Sequence, residues 1–311
     1  MKWWIGVALV LSLFGCHKKE AVAPPPQAVA KTKPAPAPTR EPQLAVTLPP
    51  ESPIPPAGVL LWLTGDDALV SAANGKVLLW RNASVPNVTA KAAAADHAPA
   101  AAANALNGHA TVQFDGTDQL LMTSIDISPA AMPEGTVITV FRSKTAEKSP
   151  LRKVYGDDNG SYDRAAGLDD RGGDKNFTLF SGSGVEGYFN LEADKPYIVV
   201  DQYSPKEFSG WVNGNAALTN LGAAWGDQPD DALPNMYLGG TGTSYSEYWN
   251  GDIAEVIVYN RKLTEDERKL VEDYLAKKYG VTLTRAATPT ATDTTATTAT
   301  TATDTMASGS Q

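Results

Sequence analysis

The chain has very few of the residues that build disulfides and zinc sites. Its 311 residues include one cysteine, Cys16, and three histidines. A single cysteine cannot form an intrachain disulfide, so an exported domain of this chain must be held together by its core alone. With so few histidines, a zinc site is not expected. The sequence also has no Gly-x-Ser-x-Gly elbow, so nothing in it indicates nucleophilic catalysis.

Positive charge is scarce as well. The 26 Lys and Arg residues are outnumbered by 35 Asp and Glu residues, which gives a formal net charge of −9. An acidic surface repels phosphate backbones. No nucleic-acid partner is therefore expected.

Long apolar runs are missing except for one segment at the N-terminus. An apolar run covers residues 3–14 and is followed by Gly15 and Cys16. Because a transmembrane helix needs roughly 20 apolar residues, this run predicts a secretory signal instead. The stretch Leu13-Phe14-Gly15-Cys16 resembles the bacterial lipobox. The resemblance implies that residues 1–15 are a lipoprotein signal peptide and that Cys16 carries a lipid anchor.

Two further segments lack the apolar residues of a core. Residues 16–57 are rich in Pro, Ala, Lys and Thr, which predicts an extended linker behind the lipidated cysteine. Residues 284–311 are mostly Thr and Ala, which predicts a disordered tail. The segment between them, 58–283, is long enough to bury a core without disulfides.

Short strand patterns recur through the 58–283 domain and are separated by Gly, Asn and Asp turns. The Asn213-Gly214 dipeptide is the strongest hairpin signal among them. The alanine-rich segment 92–103 contains Pro99 and is predicted to be a loop with one turn of helix. Strands are predicted at 59–63, 110–114, 136–141, 197–200, 210–212 and 253–259. Strands this frequent predict an all-β, antiparallel two-sheet sandwich.

The last predicted element is a C-terminal helix packed on the sandwich. Thr264 fits an N-cap, and Glu267, three residues later, completes a capping box. Apolar residues from Leu270 to Tyr279 share one face, and Gly280 fits a C-terminal stop. The pattern indicates a structural role.

Several of these segments together resemble a known family. The similar segments are Val59–Leu63, Asn104–Gly108, Val112–Asp118, Thr136–Phe141, Trp249–Tyr259 and Thr264–Gly280. As a set they resemble the laminin-G-like, concanavalin A-like jelly-roll domains of bacterial exported proteins. The resemblance implies a jelly roll with loops at its rims. It also implies binding of sugars or proteins, in some cases with calcium, although the same superfold includes glucanases.

Catalytic carboxylates are the first kind of site to consider. Hydrolases of this superfamily carry Glu-x-Asp-x-Glu on one strand, and the chain has no such triple. The acidic residues 265–267 lie at a helix N-terminus, where capping explains them. Asp252 and Glu255, three residues apart on a strand, are predicted to face opposite sides. The sequence therefore predicts that this chain is not an enzyme.

Calcium is the metal that the sequence favours. Asp157, Asp158 and Asn159 form an oxygen-rich loop of the kind that Ca²⁺ uses. The spacing does not match an EF-hand, and Asp and Asn also dominate ordinary turns. A calcium site at these three residues and a plain turn both remain open.

Aromatic residues in Gly- and Asn-rich segments are the candidates for sugar binding. Sugars stack on exposed rings, and the four candidates are Trp211, Trp225, Tyr245 and Tyr248. The alternative is that these rings fill the core or cover its edge.

Three functions follow in order of preference. The first is a lipid-anchored, lectin-like domain that binds a polysaccharide or other glycan. The second is a structural or adhesion module that binds a protein partner. The third is a glycoside hydrolase of the same superfold. The expected location is the cell envelope, with membrane attachment through the lipid. His17 stands where aspartate would favour the inner membrane, so the outer membrane is favoured if the host is diderm.

Overall fold

The computed structural model describes residues 43, 45–81, 88–160, 162–181, 184–221, 233–242 and 245–285. All of them belong to the second of the chain's two units, Ala37–Gln311. The signal segment, Cys16, most of the predicted linker, Trp225 and nearly all of the predicted tail lie outside the described residues.

The described chain folds into strands and two helices, α1 (Gly65–Ser71) and α2 (Glu265–Tyr279). The strands are β1 (Val46–Thr47), β2 (Ala57–Thr64), β3 (Leu79–Arg81), β4 (Thr89–Ala92), β5 (Ala100–Leu106), β6 (His109–Asp115), β7 (Leu121–Thr123), β8 (Gly135–Ser143), β9 (Arg152–Gly156), β10 (Ala165–Leu168), β11 (Phe177–Phe180), β12 (Val185–Phe189), β13 (Pro196–Tyr203), β14 (Phe208–Val212), β15 (Asn215–Leu221), β16 (Tyr237–Leu238) and β17 (Asn250–Tyr259).

The described strands form two antiparallel sheets. The larger sheet has nine strands, in the order β1-β2-β17-β8-β13-β14-β15, with β6 joining through β17 and β5 pairing with β6. The smaller sheet has eight strands, in the order β12-β11-β10-β9-β16-β7-β4-β3. This arrangement confirms the predicted all-β two-sheet sandwich with one C-terminal helix.

The core lies between the two sheets and draws residues from both. Phe141 and Val199 of the larger sheet share one buried cluster with Leu168, Phe177 and Leu238 of the smaller sheet. Side chains alternate along each strand, so the neighbours of these residues face outward. On the smaller sheet, that outer face is where charged and aromatic side chains gather.

Helix α2 covers the outer face of the larger sheet. Thr264 accepts a hydrogen bond from the Glu267 backbone while the Glu267 side chain accepts from the Thr264 backbone, which is the predicted capping box. Gly280 ends the helix in the left-handed conformation. Val271, Leu275 and other residues of the inner helix face pack in a second buried cluster. No helix among the described residues is long and apolar enough to cross a membrane.

The folded region extends past both predicted boundaries. Strand β1 pairs with β2, and Leu48 and Ile54 between them are buried. At the other end, the Thr284 backbone donates to the Asn213 carbonyl oxygen, and the Arg285 guanidinium lies 2.7 Å from an Asp273 carboxylate oxygen. Part of the segment predicted to be a linker therefore belongs to the sandwich.

Candidate functional site

A β-bulge on the smaller sheet places a lysine on its outer face. Tyr155 pairs with Ala166 and Lys153 pairs with Gly167, so Val154 is an extra residue on β9. Val154 and Tyr155 both lie in the core between the sheets. Lys153 is consequently turned to the other side of the sheet.

On that outer face, two cationic side chains, the buried Lys153 and the partly exposed Arg171, pair with one buried carboxylate. Lys153 Nζ lies 2.6 Å from Asp169 Oδ2, and neither side chain is exposed. Arg171 donates from Nη2 to Asp169 Oδ2 at 2.6 Å and from Nε to Oδ1 at 2.8 Å. The same Arg171 nitrogen Nη2 lies 4.0 Å from Glu247 Oε1. Lys153 Nζ also lies 3.8 Å from the centre of the Phe180 ring.

These contacts shift the carboxyl groups in opposite directions. Burial acts to raise the pKa of Asp169, but the Arg171 hydrogen bond and the Lys153 charge outweigh it and hold the pKa at about 2. Burial raises the pKa of Glu247 and of Asp158, against the nearby positive charges of Lys153 and Arg171. One carboxylate is thus firmly ionised beside two that hold protons more readily.

An exposed tyrosine that the sequence reasoning missed borders these ion pairs. Tyr162 is 39% exposed and has a positive φ of 67°, which is rare for a bulky residue. Its ring meets the Phe180 ring edge-on, with centroids 5.7 Å apart. The Arg171 guanidinium lies 5.6 Å from the Tyr162 ring centre and 4.9 Å from that of Phe180. Strain of this kind tends to occur at functional sites.

A second exposed tyrosine, Tyr245, belongs to the same surface. It is 41% exposed, and its hydroxyl donates to the Asn159 carbonyl oxygen at 2.8 Å. The loop that follows β9 and the segment before β17 are therefore in direct contact. Together we name this group the outer-face cluster: Lys153, Asp158, Tyr162, Asp169, Arg171, Phe180, Tyr245 and Glu247.

Of the three predicted calcium ligands, Asp158 and Asn159 accept hydrogen bonds within the protein and Asp157 is buried without a partner among the described residues. Asp157 is fully buried, and neither of its carboxylate oxygens has a hydrogen-bond partner among the described residues. Burial, with the charge of Asp163, raises the pKa of Asp157 well above its usual range. Asp158 Oδ1 accepts backbone hydrogen bonds from Gly160 and Asp163, and the Asn159 carbonyl accepts from Tyr245.

This geometry is that of a turn. In the described part of the chain, no three acidic, histidine or cysteine side chains are grouped so that they could hold a metal ion. The calcium site at Asp157, Asp158 and Asn159 stays a prediction.

The described candidates for sugar binding lie in three different surroundings. Tyr245 lies in the outer-face cluster. Trp211 is half-buried on β14, on the side covered by α2, and the Arg268 guanidinium lies 4.5 Å from its ring centre. Tyr248 is half-buried and lines a separate cavity. Trp225 lies outside the described residues, as Cys16 does.

The sequence held one usable signal for the missed residues. Strand β9 reads Arg-Lys-Val-Tyr-Gly, so Lys153 is the second of two adjacent charges on a strand, and a charge that is buried there needs a partner. That partner, Asp169, lies 16 residues away, and Glu247 and Tyr162 come from two further segments. No linear spacing indicates that these segments meet.

Comparisons with known proteins give similarity in structure only. No protein-family model and no curated protein matches the sequence. A Trypanosoma rangeli sialidase, solved in complex with the inhibitor DANA, is similar over 70% of this chain and 33% of that chain, at 18% identity and a TM-score of 0.50. The chain thus spans about a third of the sialidase's length. At this identity, the match shows a shared fold.

Two other similar structures have lower TM-scores. Domain 4 of AbnA, a GH43 extracellular arabinanase from Geobacillus stearothermophilus in complex with arabinotriose, matches 68% of this chain and 98% of that chain, at 15% identity and a TM-score of 0.48. A mutant GH54 α-L-arabinofuranosidase matches 66% of this chain and 52% of that chain, at 16% identity and a TM-score of 0.49.

The sialidase match corrects the prediction that the chain is not an enzyme. This similar structure is an enzyme, so the fold is shared with an enzyme. The prediction rested on a missing linear triple of carboxylates. A linear pattern cannot register carboxyl groups from separate segments, such as Asp158 and Asp169, whose charges both act on Glu247.

Proposed function

We propose that this chain is an envelope protein whose laminin-G-like, concanavalin A-like sandwich binds carbohydrate through the outer-face cluster. The observation that carries the proposal is the pairing of two exposed tyrosines, Tyr162 and Tyr245, with a largely buried set of charged groups. The fold shared with a sialidase supports a carbohydrate-related role.

The chemistry of the cluster suits a sugar. Aromatic faces offer apolar contact to the C–H faces of a sugar ring, and charged groups at their edge form strong hydrogen bonds to hydroxyls. Arg171 is fixed by its two bonds to Asp169, so its exposed edge is preorganised. Glu247, in the segment before β17, lies 4.0 Å from the same Arg171 guanidinium.

A glycan array probed with the full chain tests this proposal. We expect saturable binding to a defined glycan class, and loss of that binding in Tyr162→Ala and Tyr245→Ala. Trp211→Ala, on the other sheet, is the matched control and should bind normally. An array without binding would contradict the proposal and leave the second hypothesis, a structural or adhesion module that docks a protein partner.

Hydrolysis is the second candidate function, and one observation favours it. Glycosidases pair a carboxylic acid that keeps its proton with a carboxylate that stays ionised. Glu247, with its raised pKa, and Asp169, with a pKa of about 2, both lie within 4.0 Å of one Arg171 nitrogen.

An assay for new reducing ends, run on the glycans that bind, tests this second function. Activity that Glu247→Gln abolishes without loss of binding would establish it. Binding without any release of reducing ends would remove hydrolysis and keep the binding function.

We also propose that Cys16 carries the lipid that attaches the protein to the envelope, with residues 1–15 as its signal peptide. The support is the sequence Leu13-Phe14-Gly15-Cys16 and the apolar run before it. Cys16→Ser should move the protein from the membrane fraction to the soluble fraction. Unchanged membrane association of this variant would contradict the anchor.

A further inference from the structure

A cavity of about 210 Å³ lies beside the outer-face cluster. It is lined by Ala93, His97, Asp118, Leu120 and Tyr248. His97 Nδ1 lies 3.0 Å from Asp118 Oδ2, and both side chains are nearly half-exposed. An apolar wall, an aromatic residue and a pair of polar groups are the usual components of a site for a small polar ligand.

This cavity and the outer-face cluster share one segment of the chain. Tyr248 follows Tyr245 by three residues, and the segment between them is neither helix nor strand. The Lys153 backbone donates to the Glu247 carbonyl oxygen at 2.9 Å, and Arg152 Nη1 donates to the Tyr248 carbonyl oxygen at 3.0 Å. The segment is thereby fixed against β9, and the two tyrosine Cα atoms are at most about 10 Å apart.

The cavity wall also contacts Gly240, which closely follows strand β16. Gly240 lies so close to Leu120 that a Cβ built on Gly240 would be 2.4 Å from Leu120 Cδ2. The segment Tyr245–Tyr248 carries residues of both sites. A chain-like ligand that leaves one site would reach the other along this segment.

The charges of the two sites indicate the chemical class of the ligand. In the outer-face cluster, Lys153 and Arg171 are both paired with Asp169. In the cavity, His97 faces Asp118. Since Lys153 and Arg171 already share a carboxylate partner and His97 is held by Asp118, a negatively charged sugar would gain little from these three groups.

We propose that the cavity is a second sugar subsite, so that one neutral oligosaccharide binds across Tyr245 and Tyr248 at once. This inference rests on the proposed carbohydrate function and defines its ligand. The first subsite is the outer-face cluster, with Tyr245 and Tyr162 as its aromatic contacts. The second holds a further ring against Tyr248, with His97 and Asp118 as hydrogen-bond partners for its hydroxyls.

Calorimetric titration of the full chain tests the two subsites. The probes are linear oligosaccharides of glucose, xylose and arabinose, each as mono-, tri- and hexasaccharide, with a hexasaccharide of galacturonic acid as the anionic comparison. Because a second contact on one chain acts at high effective concentration, the neutral hexasaccharide should bind at least about tenfold more tightly than the trisaccharide. The galacturonic acid hexasaccharide should bind less tightly than the neutral one.

Variants separate the subsites. Tyr248→Ala and Asp118→Asn should remove the gain from chain length and leave the trisaccharide affinity unchanged, whereas Tyr245→Ala should weaken both lengths. Met122→Ala, an exposed apolar residue on neighbouring β7, is the matched control and should behave like the unmodified chain. Near-ultraviolet circular dichroism verifies that each variant is folded.

The outcomes distinguish this inference from the function on which it rests. Affinity that does not depend on length, or an equal loss at every length in Tyr248→Ala, would overturn the second subsite and keep carbohydrate binding. Tighter binding of the galacturonic acid hexasaccharide would overturn the neutral ligand. If no probe binds to the folded chain although the glycan array shows binding, this inference fails and carbohydrate binding stands, whereas no binding in either experiment overturns both.

Discussion

At the residue scale, the molecule places carboxyl groups where water cannot reach them. Asp201 on β13 is fully buried between the sheets and accepts a hydrogen bond from the Tyr155 hydroxyl at 2.7 Å. Its other oxygen, Oδ1, has no hydrogen-bond partner among the described residues. Burial raises the pKa of Asp201 to about 7, although the tyrosine hydroxyls act to lower it.

The raised pKa of Asp201 predicts a stability that falls as the pH rises. Between pH 4 and pH 7 the folded state holds a proton on this group that the unfolded state has released, so the free energy of unfolding decreases over that range. In Asp201→Asn, the free energy of unfolding should fall by about 3–4 kcal/mol less over this range than it does in the unmodified chain. Urea unfolding at pH 4 and at pH 7.5 measures it.

Asp174→Asn is the control for this prediction, because the Asp174 side chain is 84% exposed and should leave the slope unchanged. The same slope in Asp201→Asn as in the unmodified chain would contradict the assignment. Asp157, whose pKa is also raised by burial, keeps part of the slope in every variant.

The Lys153–Asp169 pair predicts an order of stabilities. Asp169→Asn leaves Lys153 buried without its carboxylate, and it should lower the free energy of unfolding by about 3–5 kcal/mol. Lys153→Met should cost less, because Arg171 still neutralises Asp169. Urea unfolding of both variants gives the comparison, and the reverse order would contradict the account of the cluster.

At the element scale, Glu255 on β17 joins the helix to the larger sheet. Its side chain is buried and accepts hydrogen bonds from Trp62 Nε1 at 2.6 Å, the Tyr279 hydroxyl at 2.7 Å and Lys278 Nζ at 2.8 Å. The partners come from β2 and α2, so three elements depend on one carboxylate.

Glu255→Gln should therefore loosen α2. The charge that Lys278 requires is lost, and the free energy of unfolding should fall by about 2–4 kcal/mol. Faster hydrogen exchange of the α2 amides would locate the effect. Glu265→Gln, on the exposed first turn of the helix, is the control and should change neither quantity. Unchanged exchange in Glu255→Gln would contradict this role.

The elements show which features a sequence can reveal. The capping box at Thr264 and the Asn213-Gly214 hairpin were predictable, because each depends on residues that are adjacent in the chain. In the hairpin, both residues have positive φ, 48° and 81°, as a type I′ turn requires. The alanine-rich segment was predicted wrongly, since residues 100–106 form strand β5, where pairing with β6 overrides helix propensity.

A β-bulge explains a second wrong prediction, which concerns Asp252 and Glu255. Asp252 and Glu255 were predicted to face opposite sides of their strand. On β17, Ile253 pairs with Phe141 and Glu255 pairs with Val140, so Ala254 is an extra residue that changes the alternation. Asp252 bonds to Thr111 and Arg142, while Glu255 reaches α2, and both lie outside the core between the sheets. A bulge depends on the partner strand, which is not visible in a local pattern.

At the scale of the whole molecule, the folded region extends beyond the residues that the sequence pattern assigned to the domain. Proline-rich composition placed the domain start at residue 58, yet Leu48 and Ile54 are buried against the sandwich. The Tyr259 hydroxyl also donates to the Pro55 carbonyl oxygen at 3.1 Å. Extended, proline-rich backbone can still cover a core, so composition alone does not locate this boundary.

This boundary predicts a difference between two fragments. Fragment 43–285 should unfold at a higher temperature than fragment 58–283, because burying a Leu or Ile side chain contributes about 1.5–3 kcal/mol. Leu48→Ala with Ile54→Ala in the longer fragment should give an intermediate value. Equal midpoints for both fragments would mean that the segment before residue 58 adds nothing to the fold.

The outer-face cluster could not be predicted as a site, because, like a β-bulge, it depends on contacts between segments that are distant in the sequence. Its residues come from strand β9 and the turn after it, the loop after β10, strand β11 and the segment before β17. The predicted site residues included Tyr245 and Asp158 of this cluster, and they were assigned to two different ligands. The fold makes them neighbours through the contact of Tyr245 with Asn159.

The affinity of Tyr245→Ala and Tyr162→Ala for the best glycan from the array, compared with that of Trp211→Ala, tests the central claim most directly. We expect each tyrosine variant to lose at least about tenfold in affinity, equivalent to 1.4 kcal/mol, while Trp211→Ala binds like the unmodified chain. Normal binding by both tyrosine variants, or a loss confined to Trp211→Ala, would contradict a carbohydrate site on the outer face of the smaller sheet.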